Sequence, residues 1–334
     1  MDMDSSGSDR AASSNQDIAI LGGSGFIGSR MAARMTEQNL PFRIGDLKQS
    51  AAFSDRWMAC DVRKSETLLE TLRGATAIVN LAAEHRDDVR PLSRYQETNV
   101  LGASQVCLAA RHLGIQKIVF TSSVAVYGFH SGPMEECGPY APFNEYGKTK
   151  LEAERVYQDW AKEDSARTLV IVRPTVVFGE GNRANVYNLL KQIASGRFLM
   201  TGPGTNVKSM AYVENVAAFL IHSLSFGPGV HFFNYTDGPD MTTRELVDFV
   251  KRCLGRNGRV PRMPKTVALA GGYFFDALSR LTGQTFPVSA VRVRKFCENT
   301  QVSAKRVAQT KFIPPSSLGE GLARTIHFEF PPSG

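Results

Sequence analysis

From Asp17 onward the chain alternates short apolar runs with stretches whose apolar residues recur every three or four positions. Asp17–Leu21 (DIAIL), Phe42–Asp46, Ala75–Leu81 (ATAIVNL), Lys117–Ser122 (KIVFTS) and Leu169–Val172 read as buried strands. Phe26–Gln38 sets Ile27, Met31 and Met35 four apart, as one face of a helix requires. Val100, Ala103, Cys107, Ala110 and Leu113 mark a second helix that stops at Gly114. Strands alternating with helices at this spacing predict an α/β fold built on a doubly wound parallel sheet.

After Pro174 the rhythm changes. Glycine and proline punctuate Gly202–Gly204 and Phe226–Gly229, and helical stretches follow at Thr243–Leu254 and Val267–Thr282. The pattern predicts a first domain over 16–180, to which a segment of about 207–240 returns. Residues 181–206 and 241–330 then form a smaller, interleaved C-terminal lobe that holds the substrate. Residues 1–15 (MDMDSSGSDRAASSN) are polar and read as a disordered tail rather than a signal peptide, having no basic start and no apolar core.

Composition narrows the function classes. At 334 residues and 43% hydrophobic, the chain supports a well-developed core, and no apolar run approaches the length of about 18 that suggests a membrane span. Five cysteines are scattered without a CxxC pair, so the sequence predicts neither a disulfide framework nor structural zinc, and a reducing cytoplasm is the expected location. The six histidines show no ligand spacing, and no metal site is expected. The net charge of +7 is uneven: Lys251–Gly334 carries 14 basic and 4 acidic residues. A basic lobe suits a phosphorylated substrate, an anionic membrane or plain solvent; no nucleic-acid-binding motif accompanies it.

The chemistry begins directly after the first strand. Gly22-Gly23-Ser24-Gly25-Phe26-Ile27-Gly28 forms a tight glycine turn that opens a helix, whose N-terminal N–H groups and dipole suit a pyrophosphate. Strand, glycine turn and helix in that order predict a Rossmann-type dinucleotide site. Asp46 ends the second strand, where its carboxylate accepts from ribose hydroxyls and repels a 2′-phosphate. That selects NAD over NADP, although Arg43 and Lys48 flank it.

Ser123, Tyr146 and Lys150 are the candidate catalytic set. Tyr146-Gly147-Lys148-Thr149-Lys150 places Tyr and Lys on one helix face. A phenol with pKa about 10 is a poor base at neutral pH, and a neighbouring ammonium favours its phenolate. Tyr146 can then take a proton from an alcohol as hydride leaves the same carbon, while Ser123 supports the developing carbonyl.

GGSGFIG, Asn80-Leu81-Ala82-Ala83, TSSVAVYG and YGKTK together resemble an extended short-chain dehydrogenase/reductase, of the NAD-dependent epimerase/dehydratase type. The resemblance spans Asp17 to Phe330. It is more particular to the 4-epimerases that act on GlcNAc carried on undecaprenyl diphosphate in O-antigen synthesis, through Ala83–Val89, Thr121–Gly128, Asn185–Phe198, Lys208–Val213, Gly271–Gly283 and Val288–Cys297. It implies cofactor contacts from Gly22, Gly25, Phe26, Ile27, Gly28, Asp46, Asp61, Val62, Leu81, Ala82, Ala83, Tyr146, Lys150 and Pro174. Asp61 is the residue it sends to the adenine amino group. Substrate contacts are implied for Glu84, His85, Arg86, Ser123, Thr175, Asn185 and Lys208, and a structural role for Asn99.

The implied reaction is a closed redox cycle, in which C4 of GlcNAc is oxidised, the ketosugar turns, and reduction from the other face gives GalNAc. Departures from the family pattern sharpen this. Val124-Ala125 follows Ser123 where dehydratases carry Asp-Glu. Thr175-Val176 and Lys208-Ser209 replace residues that commonly contact a nucleotide diphosphate. The alternatives are a UDP-GlcNAc or UDP-glucose 4-epimerase, a nucleotide-4-ketosugar reductase, and a binding protein without catalysis. The resemblance also implies a homodimer through two long helices following the Ser and Tyr motifs. The apolar stretch Val267–Leu281, beside Lys265 and Arg280, reads either as a core helix or as one lying peripherally on the inner membrane surface.

Overall fold

The structure is a computed structural model that describes residues 17–86, 89–130, 132–282 and 290–331. The expected N-terminal tail lies outside the described residues, as do parts of the segments 83–89, 271–283 and 288–297.

The first half is built as the apolar rhythm predicts. In chain order it contains β1 (Ile18–Leu21), α1 (Phe26–Glu37), β2 (Phe42–Asp46), β3 (Trp57–Ala59), α2 (Ser65–Leu72) and β4 (Ala77–Asn80). It continues with α3 (Ser93–Tyr95), α4 (Gly102–Leu113), β5 (Lys117–Thr121), α5 (Glu145–Lys162) and β6 (Thr168–Pro174). Every residue of β1, β4 and β6 is buried, as strands covered on both faces demand. Between α3 and α4 the helix loosens into a π-helical stretch, Gln96–Leu101. Gly114 ends α4 in the left-handed conformation, φ 69°, where glycine carries no steric penalty.

Beyond β6 come β7 (Val176–Phe178), α6 (Asn185–Ala194), β8 (Met200–Thr201), β9 (Val207–Tyr212), α7 (Val213–His222) and β10 (Gly229–Tyr235). Then follow β11 (Asp237–Thr242), α8 (Thr243–Cys253), β12 (Arg262–Met263), α9 (Lys265–Thr282), α10 (Ala290–Cys297), α11 (Lys305–Gln309) and α12 (Leu318–Glu329). Thr242 and Ser317 start α8 and α12 with reciprocal capping boxes to Glu245 and Glu320.

The large sheet runs β10-β6-β5-β4-β1-β2-β3, with every pairing parallel. One face is covered by Met31 and Met35 of α1 and by Val216, Phe219 and Leu220 of α7. The other is covered by Leu68 of α2, Val106 and Ala110 of α4, and Tyr157 and Trp160 of α5. This is the doubly wound α/β architecture. The segment of about 207–240 divides between the two layers: α7 and β10 complete the large sheet, whereas β9 and β11 pair with β7 in a three-stranded sheet of their own. The smaller lobe closes around Leu190, Ile193, Leu246, Val250, Leu318 and Leu322. Among the described residues no helix is long and apolar enough to cross a membrane. The long helix packed against α5 is α4, which precedes Ser123; Ser123 itself is followed by a 3-10 turn, Val124–Val126, and then by α5.

One buried ion pair fastens these layers. Arg173 on β6 donates to both carboxylate oxygens of Glu154 on α5, at 2.8 and 2.6 Å, with side chains 1% and 0% exposed. It also donates to the Tyr127 hydroxyl, the Glu136 carbonyl and the Tyr140 hydroxyl. Removing one partner leaves a buried charge without compensation. Arg173→Ala is therefore expected to lower the unfolding free energy by about 3–5 kcal/mol, read from urea denaturation; a loss under about 1 kcal/mol would refute this role for the pair.

Candidate active site

The strand order reverses direction between β1 and β4, and in open parallel sheets ligands lie outside the carboxyl ends of strands at such a point. The candidate residues gather there. Gly22 leaves β1 with φ +75°, its N–H donating to the Gly45 carbonyl. A β-carbon on it would sit 2.7 Å from the Ala82 amide nitrogen, so only glycine lets the turn rest on the Leu81–Ala82 backbone. Gly25 is exposed and precedes α1 without a side-chain cap. The first N–H groups of α1, on Phe26, Ile27 and Gly28, therefore keep the open helix end that binds anions. The Ser24 hydroxyl beside them is buried with no hydrogen-bond partner among the described residues.

Asp46 ends β2 and accepts from the Ser24 and Lys48 amides at 3.0 and 3.1 Å, which fixes its carboxylate beside the glycine turn. Arg43 is held elsewhere, by Asp17 and the Thr71 and Arg73 carbonyls, and does not neutralise Asp46. A carboxylate held only by backbone amides at this place suits ribose hydroxyls and disfavours a 2′-phosphate. Asp61 follows β3 and is gripped by Arg63 at 2.8 and 2.7 Å, which holds its carboxyl below the usual range. Together with Lys64, Glu97, Leu101 and Gln105 the pair lines a cavity of about 500 Å³. Val62 packs against Gly102 of α4. Helix end, unpartnered hydroxyl, glycine cradle and strand-end carboxylate form a set of donors and an acceptor that fits a dinucleotide.

The second group is assembled by α5. Asn144 caps this helix, its side chain accepting from the Gly147 amide at 2.9 Å. Gly147 then lies so close to the turn after β5 that a β-carbon would be 2.5 Å from the Ala125 carbonyl oxygen. Ser123 accepts from the Ala125 amide at 3.1 Å. One helical turn after Tyr146, Lys150 is buried and donates from Nζ to the Thr121 carbonyl at 2.7 Å, with the ammonium 4.6 Å from the Phe120 ring centroid. The contacts at Thr121 and Ala125 bracket Ser123, so the first turns of α5 carry Tyr146 and Lys150 to the end of β5. Burial pushes the Lys150 ammonium down to about 7, with Glu154 opposing that shift.

The remaining candidates differ in setting. Asn99, in the π-helical stretch, holds the Glu84 backbone at 2.8 and 3.1 Å and donates to the Thr149 hydroxyl at 3.0 Å. The Glu84 carboxylate pairs with Arg94 at 3.3 Å, while His85 and Arg86 are exposed. Ala83 is half-buried after β4, and Pro174 is buried at the end of β6. Thr175 is buried, its amide and hydroxyl both donating to the Tyr235 carbonyl. Asn185 is exposed at the start of α6. Lys208 on β9 is half-buried and donates to the Glu298 carbonyl at 2.5 Å; burial lowers its ammonium to about 8.

Asn80 had no assigned role. Its side chain donates to the Tyr157 hydroxyl at 2.6 Å and accepts from the Ala82 amide at 3.0 Å, fixing the backbone that faces Gly22. The signal was an amide inside an otherwise apolar strand.

The family model described as NAD dependent epimerase/dehydratase matches residues 18–234. The N-acetyl-α-D-glucosaminyl-diphospho-ditrans,octacis-undecaprenol 4-epimerase of Escherichia coli O157:H7 is 44% identical over 324 residues, covering 95% of this chain and 96% of the relative. A UDP-glucose 4-epimerase of Vibrio cholerae is 26% identical, covering 93% and 94%. Among solved structures, the UDP-glucose 4-epimerase of Thermus thermophilus in complex with NAD superposes with a TM-score of 0.73 at 20% identity, covering 94% of this chain and 99% of that one.

Tyr146→Phe is expected to lower kcat about 10²–10⁴-fold while retaining bound cofactor; unchanged turnover would remove Tyr146 from the chemistry. Lys150 supplies a pH signature in cofactor-free protein. Its folded pKa of about 7 lies below the ordinary 10.5, so between them the unfolded chain binds more protons and stability rises with pH. Relative to Lys150→Met, urea titrations from about pH 7 to 9 should show extra stabilisation of up to about 1.4 kcal/mol per pH unit; parallel curves would contradict it.

Proposed function

Because the chain belongs to the NAD-dependent epimerase/dehydratase family and is an NAD-dependent sugar 4-epimerase, we propose that it interconverts GlcNAc and GalNAc on a polyprenyl diphosphate carrier, with Ser123, Tyr146 and Lys150 as its catalytic residues. The carrying observation is the 44% identity, over nearly the whole of both chains, to a relative whose name specifies undecaprenyl diphosphate. When bound, NAD accepts hydride from C4 of the sugar and returns it.

This chain's residues supply the rest. Tyr146 removes the C4 hydroxyl proton as the carbonyl forms and gives it back on reduction. Lys150, in its charged form, favours the phenolate of Tyr146 electrostatically. Ser123 donates a hydrogen bond to the developing carbonyl oxygen. Glu84, His85, Arg86 and Asn185 are proposed to border the sugar and diphosphate, and Lys208 to offer positive charge from the smaller lobe. Thr175 supports this wall through its bonds to Tyr235 rather than by a free hydroxyl.

The UDP-sugar reading is weaker at the nucleotide end. Val176 and Lys208-Ser209 stand where relatives commonly contact a nucleotide diphosphate, and the Thr175 hydroxyl is committed to the Tyr235 carbonyl. The same proposal divides the chain into a cofactor domain, 16–180 with the returning segment, and a substrate lobe. It also includes a homodimer and peripheral contact with the inner membrane face. Exposed Leu101 and Leu108, one heptad apart at the start and middle of the α4 region, suit a helix-to-helix dimer contact across α4 and α5.

Purified protein offered GlcNAc-diphosphate-polyprenol should form the GalNAc epimer at least about a hundredfold faster than it converts UDP-GlcNAc, a difference of the size that loss of a specific polar or apolar contact set produces. No net absorbance change from NADH should accompany turnover. Rapid use of UDP-GlcNAc alone would overturn the carrier assignment, and stoichiometric NADH consumption would indicate a reductase.

A further inference from the structure

The α9 helix turns one face inward and leaves the other bare. Ala268 and Gly272 are buried, and Asp276 accepts from the Ala290 amide at 3.1 Å, capping the start of α10. On the opposite face Val267, Ala270, Phe274, Ala277 and Leu281 are all exposed, with Tyr273 beside them. Their steps of three and four residues make a continuous apolar stripe along one side of the helix. Phe274 is 64% exposed and Leu281 83%, where an ordinary soluble helix would present charge.

The surroundings of the stripe are strongly basic. Residues 251–298 contain ten basic and two acidic residues: Asp276, which faces α10, and Glu298, which pairs with Lys265 at 3.4 Å. Arg252, Arg256, Arg259 and Arg262 are exposed in the segment leading into α9. Lys251, Arg256 and Arg259 line a groove of about 420 Å³ whose floor includes Ile193, Phe198 and Val260. The stripe also lies close to the catalytic group in connectivity. α10 packs against α9 and lays Arg294 over the Phe129 ring at 5.3 Å. Phe129 in turn stacks at 4.5 Å on Phe143, which is exposed three residues before Tyr146.

We propose that α9 and the basic segment 251–262 form a docking surface for an anionic lipid bilayer, with the apolar stripe entering the acyl boundary and the arginines meeting lipid phosphates. Apolar and cationic surface side by side is what an interfacial helix needs, because neither term alone holds a protein on a membrane durably. A second copy of the chain fits less well, since the same positive field would face itself across a symmetric interface. The docking rests on the lipid-linked reading for its use: a polyprenyl carrier stays in the bilayer, so the enzyme must come to it.

The test is flotation of the full-length, cofactor-loaded protein with vesicles and no sugar substrate. Vesicles of phosphatidylglycerol and phosphatidylethanolamine in equal parts should carry the protein up, and phosphatidylcholine vesicles should not. Phe274→Ser with Leu281→Ser should reduce vesicle binding at least about tenfold, and Arg256→Glu with Arg259→Glu by a similar factor that shrinks as salt is raised. Circular dichroism should show both variants folded. Equal flotation with both lipids, or variants that bind like the parent, would overturn the proposal. So would a parent dimer that the Phe274/Leu281 variant converts to monomer without any vesicle binding. Because no sugar is present, a floating enzyme that epimerises only UDP-sugars would sink the carrier assignment and leave the docking standing, and the converse result would do the reverse.

Discussion

Everything at the centre of this molecule depends on where α5 sits, and the buried Arg173–Glu154 pair determines that. A guanidinium and a carboxylate removed from water are costly, and the cost is offset only by good geometry with the remaining donors satisfied. Here the fork is filled: two bonds to Glu154 and others to Tyr127, Glu136 and Tyr140. Tyr127 passes the restraint to Asn234 on β10, whose amide is held by Glu136. Helix, strand and the loop after Ser123 are thereby locked in one arrangement. The pair also reaches the proposed catalytic group. Glu154 lies one turn from Lys150 and supports its charged form against desolvation, so the anchor that positions the helix also supports the ammonium beside Tyr146.

A second constraint joins the lobes. β6 and β7 are separated by Thr175 alone, and β10 and β11 by Thr236 alone, so two neighbouring strands leave the large sheet together and enter the small one. Thr175 staples this double crossing to the Tyr235 carbonyl, while Asp237 receives the Tyr212 amide and the Tyr235 hydroxyl. The crossing lies at the carboxyl end of the large sheet. The passage from the large sheet to the small one is therefore made by two short, cross-bonded backbone links.

What was legible in the sequence follows from the range of each interaction. Buried strands announce themselves as apolar runs, and β1, β2, β4 and β5 fall where the runs predicted. The glycine turn and the Tyr146–Lys150 pair are local, with spacings that carry their own geometry. Pairings between distant elements leave no such trace. Nothing in the spacing of Glu154 and Arg173 reveals that they meet, and Asn80 looks like an interruption of a strand until Tyr157 and Ala82 are seen around it. The division of 207–240 between two sheets was hidden for the same reason: β9 has the composition of either. A core helix and a surface one share the apolar pattern of α9, and only its exposed side separates them.

The two halves of the crevice are held with different firmness, and a transient-oxidation cycle requires that. On the cofactor side, Gly22 rests on Gly45 and Ala82, Asp46 on two amides, and Ala82 on Asn80. On the proposed reading, such a cradle would hold the dinucleotide in one place through the cycle. On the proposed substrate side the polar groups sit at strand ends and on the opposing lobe, and His85, Arg86 and Asn185 are exposed. A sugar that must present both faces in turn is hindered by a tight grip on its ring. On the proposed reading, the hold is displaced to the remote end of the substrate, where binding energy can orient the reacting carbon without immobilising it. A diphosphate meeting basic side chains, with its polyprenyl tail kept in a bilayer beneath α9, provides that remote hold and leaves the ring free to turn beside Tyr146.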